Sequence, residues 1–428
     1  MPMRWKAFVL AGVIGALSPT ASAETVTEAF RDAVVASPEL AARRARLKAQ
    51  RQDVPIALAE ALPQITLSAT ASRVFRDDPA FRQVGSQKRE EWRGAATGSQ
   101  LLFGSGRVWS NYRQARLQVE SSEALYEEAL QTLLFDTARI FAEVRRARAA
   151  AASNAQTLTN LEEQREYVEA NQRAGFLTMT DLAQAEARIA SGRSQSARAT
   201  ADLVAAQRAF ERLVGRPPGE LDALPPATNL PQSEEAALEH ANRQRKVLEA
   251  ARQAVRAADA GIDAAHAVGR PRLTLEATSA IENDFDAVGA DRFIDDQVGV
   301  RLTIPFSVGG ANWARIRQQR ALRDAARQEA TVALRDLEQS VAVAWSDLVA
   351  ARVAASATEE EVRAAELALR GVRREQQNGL RAVIDVLDQE QALLVAQLSR
   401  ARAERDVAIA EHRLLFEVGA LECAACAR

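Results

Sequence analysis

The chain is written twice. The segment Trp109–Arg116 (WSNYRQAR) returns as Trp313–Arg320 (WARIRQQR), 204 positions later. The same offset relates Gly175 to Gly379, Asp181 to Asp385 and Val214-Gly215 to Val418-Gly419. Pro63-Gln-Ile-Thr-Leu67 returns as Pro271-Arg-Leu-Thr-Leu275 at an offset of 208, a small loop difference. One such pair is chance, but a near-constant offset over several segments is an internal duplication. Whatever architecture one half adopts, the other must share. Residues 24–215 are read as a first structural repeat and 232–419 as a second, with 420–428 as a tail. Between the repeats, Arg216–Pro231 carries Pro217, Pro218, Pro225, Pro226 and Pro231 and cannot continue a helix, so it is the linker.

Each repeat has the order helix, two strands, very long helix, Gly turn, helix. No Gly or Pro occurs from Arg107 to Ala174, between Gly106 and Gly175. At 1.5 Å per residue that run is about 100 Å long. Its counterpart runs from about Ala311 to Asn378, interrupted only by Gly371. Flanking helices near 24–61, 178–214, 234–268 and 381–418 are about half as long, so two of them stack end to end beside each long one. Leu130, Leu133, Thr137, Ile140 and Val144 are spaced 3, 4, 3, 4, as are Leu334, Leu337, Val341, Ala344 and Leu348. That is coiled-coil periodicity. The composition agrees: 47% of residues are apolar but only 5% aromatic, which suits long close-packed helices.

Four segments carry a different period. Ile65–Ser72, Leu273–Thr278 and Val298–Phe306 alternate apolar with small or polar residues, and Arg93–Phe103 does so more weakly. They form two hairpins, at about 63–104 and 271–307, of a length that suits membrane-spanning strands. Arg76–Glu91 and Glu282–Gln297 read as polar loops. Trp92, Phe103, Phe306 and Trp313 lie at strand ends, where interfacial aromatics belong. Met1–Ala23 has Arg4 and Lys6, an apolar run from Ala7 to Leu17 and a small-residue Ala21-Ser22-Ala23, the pattern of a cleaved signal peptide leaving Glu24 first. An uncleaved anchor is the alternative. No later stretch of 18 apolar residues exists, so a return to a membrane must be as a β-barrel. Four strands cannot close one, since about eight is the smallest bacterial size. Secretion plus four amphipathic strands therefore implies an oligomer; three copies supply twelve strands, with the helices hanging below as a hollow tube.

Other functions find little support. A net charge of −2 offers no electrostatic case for nucleic acid. His240, His266 and His412 are scattered and the two Cys sit at the end, so no zinc, haem or iron–sulfur framework is expected, and no cofactor. No nucleophilic triad, paired-carboxylate cleft or phosphate loop occurs, so the chain is not read as an enzyme. Gly104-Ser-Gly106 and Gly309-Gly310 are strand-to-helix bends. Cys423-Ala-Ala-Cys426 is read as tail, with a local disulfide open.

Along essentially all of its mature length the sequence resembles the TolC family of outer-membrane channels. The resemblance rests on the duplicated layout, LLFGSGRVWSNYRQA after the second strand, and the matched turns Ala174–Asp181 and Asn378–Asp388. It implies a homotrimer: a twelve-stranded barrel in the outer-membrane lipid continuing into a periplasmic helical barrel. Such a channel meets a periplasmic adaptor protein and an inner-membrane ABC or proton-driven transporter, and passes secreted proteins or drugs. The missing lipid-anchor Cys leans toward the protein-secreting branch. A periplasmic coiled-coil adaptor or scaffold is the alternative; it should lack paired amphipathic hairpins.

Asp385 and Asp388, three apart, face one way on a helix. Around a threefold axis they would form two rings of carboxylates that attract cations. Spacing alone also fits a solvated acidic patch; the resemblance assigns the pair to the periplasmic constriction. Gln184 stands where Asp388 stands in the other repeat, so only the second repeat would be gating. The resemblance also implies that Arg381 reaches Asp181 and helps hold the entrance closed. Gln376 stands where the family's pattern has a Tyr, so part of that network is expected to be missing or rewired. Gly175, Phe176, Leu177, Gly379 and Leu380 lie at the hairpin tips, as adaptor contacts or as caps of their own turns.

Overall fold

The computed structural model describes residues 24–76, 87–284, 291–306 and 309–421. The expected signal peptide and the Cys423–Cys426 tail lie outside them, as do 77–86 and 285–290 within the two expected loops. The elements are α1 (Val26–Ala36), α2 (Pro38–Gln50), α3 (Asp53–Ala59), β1 (Gln64–Arg76), β2 (Gln87–Phe103), α4 (Arg107–Arg173), α5 (Met179–Val214), α6 (Glu234–Gln244), α7 (Lys246–Val268), β3 (Arg272–Asp284), β4 (Asp291–Thr303), α8 (Ala311–Gln377) and α9 (Val383–Glu417). The two long helices have 67 residues each. Gly106 and Gly310, both at positive φ (86° and 74°), start them, where only glycine turns the chain out of a strand without strain.

Two expectations change here. The first flanking helix is three helices. Ser37 ends α1 and caps α2 by accepting from the Leu40 N–H (3.2 Å), and Pro38 sits at the first helical position, where its missing N–H costs nothing. The third flank breaks at Arg245, 208 positions after Ser37, without a proline. Arg245 is extended (φ −67°, ψ 120°), and its buried guanidinium is drawn to Glu128 (3.0 Å) and Glu417 (3.4 Å) and stacks over the Phe416 ring. The strands also extend into the expected loops, because the charged runs 87–91 and 291–297 still pair as β-ladder.

The four strands form one antiparallel sheet in the order β1-β2-β3-β4, with β1 and β4 as open edges. The register puts Ile65, Leu67, Ala96, Ala277, Val298, Val300 and Leu302 on one face. Leu67 and Val298 are almost fully exposed there. The other face carries the ion pairs Arg93–Glu282 (2.9 Å) and Arg301–Glu276 (2.7 Å). An apolar face with no protein over it and a charged face opposite is the pattern of a wall between lipid and a wet lumen.

Below the sheet the helices pack in matched sets. Phe30, Leu134, Phe141, Val144 and Phe210 centre the first core; Leu248, Leu337, Val341, Leu348 and Leu414 centre the second. The linker joins them, with Leu230 touching both. In α8 the expected seam is the core: Leu337, Val341, Ala344 and Leu348 are buried. In α4 the seam broadens: Thr137 and Val144 are buried as expected, Leu134, Ala138 and Phe141 are buried beside them, and Leu133 and Ile140 are half-buried. α4 packs against α1, α5, α7 and α9 and so buries more than one stripe.

Candidate gate at the helix-hairpin tips

Two helix hairpins, α4–α5 and α8–α9, end side by side. Their turns are copies: Gly175 and Gly379 have φ 82° and 73°, the Phe176 N–H donates to the Asn171 carbonyl and the Leu380 N–H to the Glu375 carbonyl, both at 2.9 Å. These are Schellman-type ends, and positive φ is what glycine supplies. Phe176 and Leu380 project outward, 80% and 75% exposed, with Met179 beside them. Leu177 turns inward onto a cluster of Leu161, Val168, Ala185, Ile189, Val383 and Leu387 that joins both hairpins. The five tip residues therefore divide: the glycines make the turns, Leu177 caps the apolar cluster, and Phe176 and Leu380 face solvent.

The charged residues come together differently from the sequence-based expectation. Within one chain Arg381 does not reach Asp181. It spans its own turn to Glu375 (2.8 Å), and this bond, then the charges of Glu375 and Asp385, raise its pKa above the usual value. Asp181 is occupied by a capping box: its carboxylate accepts from the Thr178 N–H (2.8 Å) and hydroxyl (2.7 Å). Asp385 holds the equivalent place on α9 and accepts from the Ala382 N–H (3.2 Å); Ala382 has no side-chain oxygen to complete the box. Asp388 is exposed and paired with Arg188 on α5. The acidic pair is thus half-compensated within the chain, one carboxylate by a helix N-terminus and the other by a guanidinium.

Sequence reasoning missed the partners Arg188, Glu390, Arg373 and Asn160. Arg188 lies one turn beyond Gln184, the position matching Asp388, and only the packing of α5 on α9 brings it across. Glu390 is buried, 3% exposed, between Arg373 of α8 and Asn160 of α4. Nothing in the spacing marked it, because charged residues at helical spacing are ordinarily solvated. Among the described residues no cluster of His, Cys, Asp or Glu could hold a metal ion.

With this geometry established, comparison with known proteins is decisive. Residues 30–216 and 237–420, one block per repeat, match the outer membrane efflux protein family. The chain belongs to the outer membrane efflux protein family. It is 30% identical over 402 residues to the outer membrane efflux protein BepC of Brucella suis, covering 93% of this chain and 86% of that protein. It is 25% identical to the outer membrane protein TolC of Vibrio cholerae, covering 96% and 94%. It is also 28% identical, over 60% of its length and 56% of the relative's, to the alkaline protease secretion protein AprF of Pseudomonas aeruginosa. The fold matches the CmeC outer membrane channel of Campylobacter jejuni with a TM-score of 0.82 at 15% identity, covering 99% and 95%. As an outer membrane efflux protein the chain is a channel of the outer membrane that extends into the periplasm, and it is not an enzyme. The adaptor-or-scaffold alternative falls with that assignment. Channels of this family work with an adaptor and an inner-membrane transporter.

Proposed function

We propose that the chain is the exit duct of a tripartite export system, a homotrimer closed at its periplasmic tip by the α8–α9 hairpin. Asp385 and Asp388 line the constriction and set its preference for cations, and Arg381 and Asp181 take part in closure between subunits, since within one chain each is already engaged by its own hairpin. Phe176 and Leu380, beside the Gly175 and Gly379 turns and backed by Leu177 on the apolar cluster, form the contact for a periplasmic adaptor, which links the duct to an ABC or proton-driven transporter. The single observation that carries this reading is the convergence of two glycine-turn hairpins at one end of a stalk about 100 Å long, with the acidic pair within the first two turns of α9. At the other end is a sheet whose bare apolar face fits outer-membrane lipid. Protein secretion is supported by the relative AprF, named for alkaline protease secretion; drug efflux is the second reading, supported by BepC, named as an efflux protein.

The test is electrical. Purified trimer in a planar bilayer should be cation-selective and blocked by multivalent cations from the periplasmic side. The double variant D385A/D388A should lose that block and most of the selectivity. Selectivity equal to that of the unmodified channel rejects the acidic constriction.

A further inference from the structure

We propose that Glu390 is a buried latch that fastens the α8–α9 hairpin to the α4–α5 hairpin through Asn160. The proposal rests on the gate reading above and names what regulates that gate.

Glu390 lies two residues past Asp388 and is the most buried acid among the described residues. Its two oxygens are shared between the hairpins. Oε1 accepts from the Arg373 guanidinium on α8, inside its own hairpin. Oε2 accepts from Asn160 Nδ2 on α4 at 3.2 Å. The Asn160 amide is oriented for this by Gln156, one turn earlier, whose Nε2 donates to Asn160 Oδ1 at 3.0 Å. The order is Gln156 to Asn160 to Glu390, with Arg373 closing the other side.

A carboxylate removed from water depends on every partner it has, so withdrawing one is costly. The nearby Arg188–Asp388 pair also crosses the hairpins, but its side chains are 38% and 53% exposed, and water and salt screen it. Apolar contact of Val383 and Leu387 with Leu161 and Ile189 is non-directional and tolerates sliding. The Glu390–Asn160 bond is directional, and its carboxylate end is buried. It holds one register of α9 on α4, and any outward swing of the hairpin breaks it.

The duplication supplies the contrast. The first-repeat counterpart of Glu390 is Glu186, which is exposed and meets Arg165 only at 4.0 Å. The counterparts of Arg373 and Asn160 are Glu169 and Ala364, so the same bond cannot form the other way round. The latch is a feature of the second-repeat hairpin alone, the one that carries the acidic pair.

The experiment is resting conductance of the purified channel in planar bilayers, with oligomer integrity checked on unheated gels. N160D sets a carboxylate against Glu390 in each subunit and should raise resting conductance about tenfold or more. N160D/E390Q restores a donor to that contact and should return conductance toward the unmodified level. N160A, which removes the amide without adding charge, should raise conductance less, and it is the variant to read should N160D fail to assemble. Conductance unchanged in N160D, or in N160A where N160D does not assemble, overturns the latch; so does an N160D increase that E390Q fails to reverse. If D385A/D388A alters selectivity while the Asn160 variants do nothing, the gate stands and the latch falls. If none of these variants has an effect, both fall.

Discussion

At the scale of single residues, a few polar groups are buried among the apolar contacts of the helical stalk. Arg245 lies between Glu128 and Glu417, with its guanidinium 3.9 Å from the centre of the Phe416 ring. Burial raises the pKa of Glu128, and the Arg245 charge opposes that shift. Removing the cation leaves two buried acids facing each other, so Arg245→Leu should destabilise the fold by about 3–5 kcal/mol, read as a lower thermal midpoint by circular dichroism. His412 gives a pH dependence. It is buried, and burial holds its pKa below 6.5 despite the Ala408 carbonyl at 2.8 Å and the Glu411 charge. The folded state keeps it neutral, whereas the unfolded chain takes up a proton near pH 6.5. Its stabilising contribution is therefore present above that pH and lost as pH falls below it. The thermal midpoint should drop as pH falls below about 6.5, and His412→Gln should flatten that part of the curve. An equally steep curve in the variant would assign the acid sensitivity elsewhere.

At the scale of elements, period was a reliable guide and its interruptions were not. Period two located all four strands, and the register it implied puts Val298 on the apolar face and Gln297 on the face that carries the ion pairs. Val298→Arg should then impair membrane insertion, at a cost of about 2–4 kcal/mol near mid-bilayer, whereas Gln297→Arg should insert normally; extraction of membrane fractions with urea separates the two. Equal loss in both variants would put the face assignment in doubt. The flanking glycines bounded both long helices to within a residue, although Gly371 lies inside the second. The flanking helices were overextended because a break such as that at Arg245 comes from a tertiary ion pair, which no local pattern records. Likewise the α4 seam broadened beyond Thr137 and Val144 onto Leu134, Ala138 and Phe141, since a heptad reading assumes one partner and α4 has several.

At the scale of the whole molecule, the two repeats are alike in outline but unequal in surroundings. α7 packs between α4 and α8, whereas α2 and α3 pack on α4 alone. The sheet ends on two unpaired strands, β1 and β4. Open edges in lipid are not viable, because each unpaired backbone group lacks water there. Assembly is consequently part of folding: the mature protein should run as a high-molecular-weight oligomer on unheated gels, collapse to one chain on boiling, and require detergent throughout. A chain that is monomeric and soluble in plain buffer would contradict the barrel.

The sequence by itself determined the duplicated plan, the strand pairs, the two glycine turns and the family, because each is written as periodicity, offset or local backbone demand. Only the tertiary structure decided which charges meet. Asp388 on Arg188 and Glu390 between Arg373 and Asn160 depend on how one helix is rotated against another, while Arg381 meets Glu375 across its own turn rather than Asp181. That rotation is set by packing between residues as much as 200 positions or more apart, and a one-dimensional pattern does not contain it.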